Sequence, residues 1–181
     1  MVKGNIMIDF CDLYFCYNNK YSTYKLLKGI LKKNYNYNIT KKSIMYGKCG
    51  KPYLKGIYFN ISTTNNIILI AISSKNVGVD IESVSNLTII NDYLLSKTDL
   101  ISKTLYNNTT IWCIKEAYSK YLGIGLKMNF NRVNIKDILK TNLCKIVENN
   151  KYSYCIVSKV KNINTIIIDE GKYDRNKCSY F

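Results

Sequence analysis

Two short segments of this 181-residue chain carry residues whose types and spacing could do chemistry. In Val77-Gly78-Val79-Asp80-Ile81-Glu82 an extended backbone sends alternate side chains to opposite faces, so Asp80 and Glu82 share one face and Val79 and Ile81 the other. Two carboxylates side by side need a cation, water or a bound partner. Mg2+, a hard ion that prefers oxygen, suits such a pair completed by phosphate oxygens. The plainer alternative is an edge strand with a solvated acidic face. In Trp112-Cys113-Ile114-Lys115-Glu116-Ala117-Tyr118-Ser119-Lys120, a helix places Trp112, Glu116 and Lys120 at i, i+4 and i+8, an aromatic, an acid and a base in one row. Read by itself, that row is best explained as a surface Glu-Lys pair with the tryptophan anchoring the helix in the core.

Taken together and in this order, the two segments resemble the Sfp-type 4'-phosphopantetheinyl transferases, whose signature is GxDxE followed downstream by WxxKEAxxK. Gly78 to Glu82 and Trp112 to Lys120 fill every signature position. Gly123-Ile124-Gly125-Leu126 is similar to the glycine turn that follows this helix in the family, Gly50-Lys51-Pro52 to its GKP segment, and Phe59-Asn60-Ile61-Ser62 to its FNxS strand. The blocks run from residue 50 to 126. The resemblance implies an α+β fold of two similar packed lobes related by a pseudo-twofold, and an enzyme that uses Mg2+ and coenzyme A. Its reaction would move the 4'-phosphopantetheine arm onto a serine of an apo acyl or peptidyl carrier protein and release 3',5'-ADP.

By the same resemblance Asp80, Glu82 and Glu116 are metal ligands, and Asp80, Glu116 and Lys120 form the catalytic set. Either Glu116 or a metal-bound water would deprotonate the carrier serine, and Lys120 would stabilise or protonate the departing nucleotide. Lys115 would touch phosphate or support the structure. Lys51 and Pro52 would border the adenine, and Ser62 and Thr63 would lie near the phosphates. On charge alone, outside the resemblance, Lys20, Lys25 and Lys28 could meet the 3'-phosphate, though a solvated helix face is their simpler role. One position departs from the pattern: the family has histidine after the serine, where this chain has Thr63. A threonine donates one hydrogen bond and carries no charge, so weaker or rearranged phosphate binding is expected.

These residues need elements to hold them. Ser22 or Thr23 caps a predicted helix to about Asn34, with Leu26, Leu27, Ile30 and Leu31 as its apolar stripe. Strands are expected at 43–46, 57–62, 67–73 and 77–82, then helices near 91–106 and 110–122, the latter capped by Thr109 or Thr110. Further strands are expected near 130–135, 152–157 and 165–168. The chain thus divides into lobes of roughly 1–75 and 76–181, with no Pro/Ser-rich linker to let them swing. Leu94, Leu95, Leu100 and Ile101 could shape a docking groove for the carrier, though core packing is their simpler role.

Composition bounds the remaining choices. Hydrophobic residues at 47% and a single proline exclude a disordered or collagen-like chain. Lysine and arginine number 27 against 12 acids, a net charge of +15 that favours anionic partners, here an acidic carrier domain steered electrostatically. Almost all the cations are lysines in a sequence crowded with Asn, Ile and Tyr, so compositional drift on a solvated surface accounts for part of the excess. A basic nucleic-acid-binding protein is the rival class, but no aromatic RNA-binding motif or phosphate loop accompanies the charge. A degenerate coenzyme A or carrier binder without turnover is the other alternative, motivated by Thr63. Seven cysteines without a CxxC pair, and no histidine, favour free thiols over a disulfide framework or zinc site. No signal-like N-terminus is evident and the longest apolar run, Ile67 to Ile72, is too short to span a bilayer. A cytoplasmic monomer acting without nucleic acid or membrane is the expectation.

Overall fold

The computed structural model describes residues 9–17, 22–84, 99, 105–141, 143–169 and 172–174. Two antiparallel-rich sheets lie face to face between two helical layers. The first sheet holds β1 (Cys11–Tyr17), β4 (Tyr58–Thr64), β5 (Ile67–Ser73), β9 (Ile163–Asp169) and β10 (Lys172–Asp174), in the order β10-β9-β1-β5-β4. A separate two-stranded ribbon pairs β2 (Met45–Tyr46) with β3 (Pro52–Tyr53). The second sheet is β6 (Val77–Ser83), β8 (Tyr152–Ser158) and β7 (Leu143–Glu148), with β8 in the middle.

The apolar run of β5 is buried on both faces, which is why it does not alternate. Ile68, Ile70 and Ile72 meet α1 (Thr23–Tyr35) through its buried Leu27, Ile30 and Leu31. Leu69 and Ala71 face the other way, joining Leu13 and Phe15 against Val77, Val79 and Ile81 of β6. The outer face of the second sheet is covered by α2 (Asn108–Leu122) and α3 (Ile135–Thr141), through Ile111, Ile114, Ala117, Ile135 and Ile138 on Cys155 and Val157. Four layers result: helix, sheet, sheet, helices.

The expected α+β class is observed, and α1, β5, β6 and β8 fall where the hydrophobic spacing put them. Ser22 caps α1, its hydroxyl accepting from Lys25 N. Three expectations are corrected. The cap of α2 is Asn107, whose Oδ1 accepts from Thr110 N at 2.8 Å; Thr109 and Thr110 are buried inside the helix. The strand expected at 130–135 is a 3-10 turn at Phe130–Arg132 leading into α3, because Asp99 accepts from Ile135 N and Asn134 from Lys136 N, satisfying the helix's first donors. The break between 75 and 76 does mark the passage from the first sheet to the second. The chain later returns, however: β9 covers the edge of β1 in parallel register, Cys11 opposite Ile163 through Cys16 opposite Ile168, so residues 163–174 complete the first sheet. The helix expected over 91–106, with Leu94, Leu95, Leu100 and Ile101, lies almost wholly outside the described residues, and Lys20 is outside them too.

Candidate functional site

Alternation along β6 turns Gly78, Asp80 and Glu82 toward α2, and Gly78 sets how close that helix comes. A β-carbon at position 78 would stand 2.0 Å from Ala117 O and 2.3 Å from Tyr121 N, so only glycine lets strand and helix backbones touch. That approach brings the strand's acids onto the helix row. Lys120 Nζ lies 2.6 Å from Asp80 Oδ1, and Ser62 on β4 donates to the same oxygen at 2.8 Å while accepting from Lys120 at 3.2 Å. Asp80 is 2% exposed and Glu116 is 8% exposed. Trp112 lies near Glu82 and packs on Phe130 with ring centroids 5.0 Å apart. The row of Trp112, Glu116 and Lys120 therefore lines the acids rather than facing solvent.

The charge balance of this cluster is negative and incomplete. Asp80 Oδ2 and Glu116 Oε1 are buried carboxylate oxygens with no hydrogen-bond partner. Burial pushes the Glu82 carboxyl up to about 7, reinforced by the charges of Asp80 and Glu116 and opposed by Lys120. Glu116 is raised as well, by burial first and Asp80 second, again with Lys120 opposing. Buried carboxylate oxygens without partners are costly, and a cation is the natural remedy. Among the described residues no three ligating side chains close into a ready metal cage. Two acids with free oxygens nonetheless suit Mg2+, which is usually held by one or two carboxylates and completed by phosphate oxygens and water.

A cavity of about 570 Å³ opens between the 47–53 segment and the C-terminal end of α2, lined by Lys51, Pro52, Tyr53, Asn76 and Gly123 among others. Lys51 and Pro52 thus border a cleft. The Lys51 ammonium itself points inward, donating to Asn76 Oδ1 at 2.6 Å, Val77 O at 2.8 Å and Tyr121 O at 3.3 Å, and burial lowers its pKa to about 8. It ties the loop to the start of β6 and the end of α2, and it is the aliphatic stem that meets Gly123.

Ser62, Asp80, Glu82, Glu116 and Lys120 are brought together; Lys115, Thr63, Lys25 and Lys28 lie elsewhere. Lys115 is completely buried on another face of α2, in an ion pair with Asp99 at 2.5 Å and donating to Phe130 O at 2.7 Å. Of the two roles expected for it, phosphate contact or structural support, this burial fits the structural one. Thr63 is exposed and leaves β4 on the side opposite Ser62, as strand alternation requires. Lys25 and Lys28 are exposed on α1. Asn60, Asn76 and Asp99 had no assigned role from sequence. The first carries a legible signal, because Asn60, Ser62 and Thr64 are polar at every second position of a strand.

Comparison with known proteins agrees with the site. The sequence pattern described as the 4'-phosphopantetheinyl transferase superfamily matches residues 76–173, more than half of the chain. The chain is 33% identical over 109 residues to the L-aminoadipate-semialdehyde dehydrogenase-phosphopantetheinyl transferase of Candida glabrata, covering 49% of this chain and 42% of that protein. It is 31% identical over 105 residues to the 4'-phosphopantetheinyl transferase gsp of Aneurinibacillus migulanus, covering 52% and 44% respectively. With the 4'-phosphopantetheinyl transferase Sfp of Bacillus subtilis it shares 30% identity over 99 residues, 50% and 44% of the two chains. In each case the match spans less than half of the relative's length.

Proposed function

The chain belongs to the 4'-phosphopantetheinyl transferase superfamily, and from that premise we propose that it transfers the 4'-phosphopantetheine arm of coenzyme A to a serine of an apo carrier protein, releasing 3',5'-ADP. The observation that carries this reading is the pair of buried, unpartnered carboxylate oxygens, Asp80 Oδ2 and Glu116 Oε1, with the Lys120 ammonium on the other oxygen of Asp80.

Asp80 and Glu116, with Glu82 as the third acid, would hold Mg2+ against the coenzyme A pyrophosphate. When bound, the ion supplies charge neutralisation for the phosphate oxygens as the phosphodiester link breaks. Asp80 is oriented for that task by two donors, the Ser62 hydroxyl and the Lys120 ammonium, both on its Oδ1, so its Oδ2 is the oxygen left for a ligand. Lys120 is a quarter exposed and can follow the leaving phosphate, placing a positive charge where negative charge develops. Either Glu116, whose carboxyl is raised by burial and by Asp80, or a metal-bound water would take the proton of the carrier serine. The cavity bordered by Lys51 and Pro52 would take the nucleotide end. Thr63, exposed on the far side of β4, supplies no charge there, so lysines must neutralise any phosphate on that face. An acidic carrier would be drawn by the chain's +15 charge.

Calorimetry of coenzyme A binding with and without Mg2+ tests the arrangement. Wild type should bind more tightly with the ion, and Asp80→Asn with Glu116→Gln should remove that gain. Equal affinity in the presence and absence of Mg2+ for wild type would refute it.

A further inference from the structure

β6 is an outer strand of its sheet, hydrogen-bonded to β8 along one edge. Its other edge presents backbone N–H groups, and side chains of β4 meet them. Asn60 Oδ1 accepts from Val79 N at 2.8 Å, Ser62 Oγ from Ile81 N at 3.4 Å, and Thr64 Oγ1 from Ser83 N at 3.1 Å. All three side chains are buried. Each step is two residues on both strands, so the contacts form a three-rung ladder in which side-chain oxygens replace the carbonyls of a neighbouring strand. The residues whose N–H groups are fixed are 79, 81 and 83, and Asp80 and Glu82 stand between them.

This placement matters because a strand's faces alternate residue by residue: a slip of one would turn both acids into the core and Val79 and Ile81 toward α2. The pairing of β6 with β8 fixes one edge only. We propose that Asn60 and Thr64 are positioning residues, whose side-chain acceptors lock β6 against the first sheet in the register that presents Asp80 and Glu82 to the helix. Ser62, the middle rung, differs from them in touching Asp80 directly. Asn60 and Thr64 touch none of Asp80, Glu116 or Lys120 through a side-chain hydrogen bond among those described, so their influence runs through the backbone of β6. The ladder explains why an outer strand can carry charged ligands without fraying, and why the buried positions 60, 62 and 64 of β4 are all polar.

The activity part of the test rests on the transferase reading; the exchange part does not. Thr64→Val removes the acceptor at nearly constant shape, Thr64→Ser keeps it, and Asn60→Leu removes the first rung. Hydrogen exchange at the Val79, Ile81 and Ser83 amides should quicken about tenfold or more in Thr64→Val and Asn60→Leu. The Mg2+ concentration for half-maximal coenzyme A binding should rise by about tenfold or more. Thr64→Ser should stay near wild type in both. The proposal is overturned if the two acceptor-less variants exchange like wild type, if they exchange faster with an unchanged Mg2+ midpoint, or if Thr64→Ser behaves as Thr64→Val. Should Asn60→Leu fail to fold, the Thr64 pair carries the comparison. A wild type that binds neither coenzyme A nor Mg2+ would sink the transferase reading, while the exchange rates would still decide whether the ladder holds the strand.

Discussion

Replacing Gly78 with alanine is the smallest change that should separate the two halves of the site. The added carbon would sit 2.0 Å from Ala117 O, 2.3 Å from Tyr121 N and 2.8 Å from Tyr121 Cα. All three are backbone atoms within α2, so no side-chain rotation relieves the clash. An ordinary contact begins near 3.4 Å, so the helix must withdraw by roughly 1.4 Å, or β6 must bow away from it. Overpacking a buried interface costs about 1–3 kcal/mol, and here rigid backbone on both sides argues for the upper end. The same displacement moves Glu116 and Lys120 off Asp80, and a misplacement of about 1 Å can cost roughly a hundredfold in rate. Urea unfolding followed by tryptophan fluorescence gives the first quantity, since Trp112 is the only tryptophan and lies on this helix. Transfer rate per folded molecule gives the second. A Gly78→Ala protein within about 0.5 kcal/mol of wild type and with an unchanged rate would refute the claim that backbone contact between β6 and α2 builds the site.

Four other outcomes follow from the same geometry. Lys115→Met should destabilise the fold by about 3–5 kcal/mol, because Asp99 is left buried without its cation, and adding Asp99→Leu should recover much of the loss in urea unfolding. Lys120→Met should keep Mg2+ binding measurable by calorimetry yet lower transfer by about a hundredfold or more. Glu82 is an acid whose folded pKa, about 7, lies above its ordinary 4.5, so its contribution is fully present below pH 4.5 and lost as pH rises through 7. In chelator, the melting temperature of wild type should therefore fall relative to Glu82→Gln between pH 5 and pH 7.5, and Mg2+ should restore more of it at the higher pH. Lys51 has the opposite sign: a folded pKa of about 8, below 10.5, makes its charged form costly, so its contribution is lost as pH falls through 8, a trend absent from thermal melts of Lys51→Met.

The core of this molecule was readable where one face of an element is buried. The Leu27, Ile30 and Leu31 stripe gave α1, and the unbroken Ile67–Ile72 run gave β5, because burial alone explains each pattern. β1 was not read, since Cys11–Tyr17 is buried nearly throughout and shows neither period, and its partners lie some 55 and 150 residues away in sequence. The strand expected at 130–135 gives way to a turn and helix because the Asp99 carboxylate accepts from Ile135 N, a long-range contact that no local window contains. At the site, Asp80, Glu116 and Lys120 were legible as motif residues and the structure gathers them. Lys115 stood in the same motif, yet its buried partner Asp99 was not foreseeable from spacing, and a lysine on a helix reads as solvated until something buries it. The inward turn of the Lys51 ammonium was equally hidden, because its acceptors come from residues 76, 77 and 121.

The account stands or falls on covalent transfer. Intact-mass spectrometry of an apo carrier protein incubated with this chain, coenzyme A and Mg2+ reads it directly, beside a chelator control and the Glu116→Gln variant. A carrier mass gain of one phosphopantetheine, present with wild type and Mg2+ and lost in both controls, is the expected result. Several different apo carriers left unmodified by wild-type protein, or a gain that persists without Glu116 and metal, would contradict it.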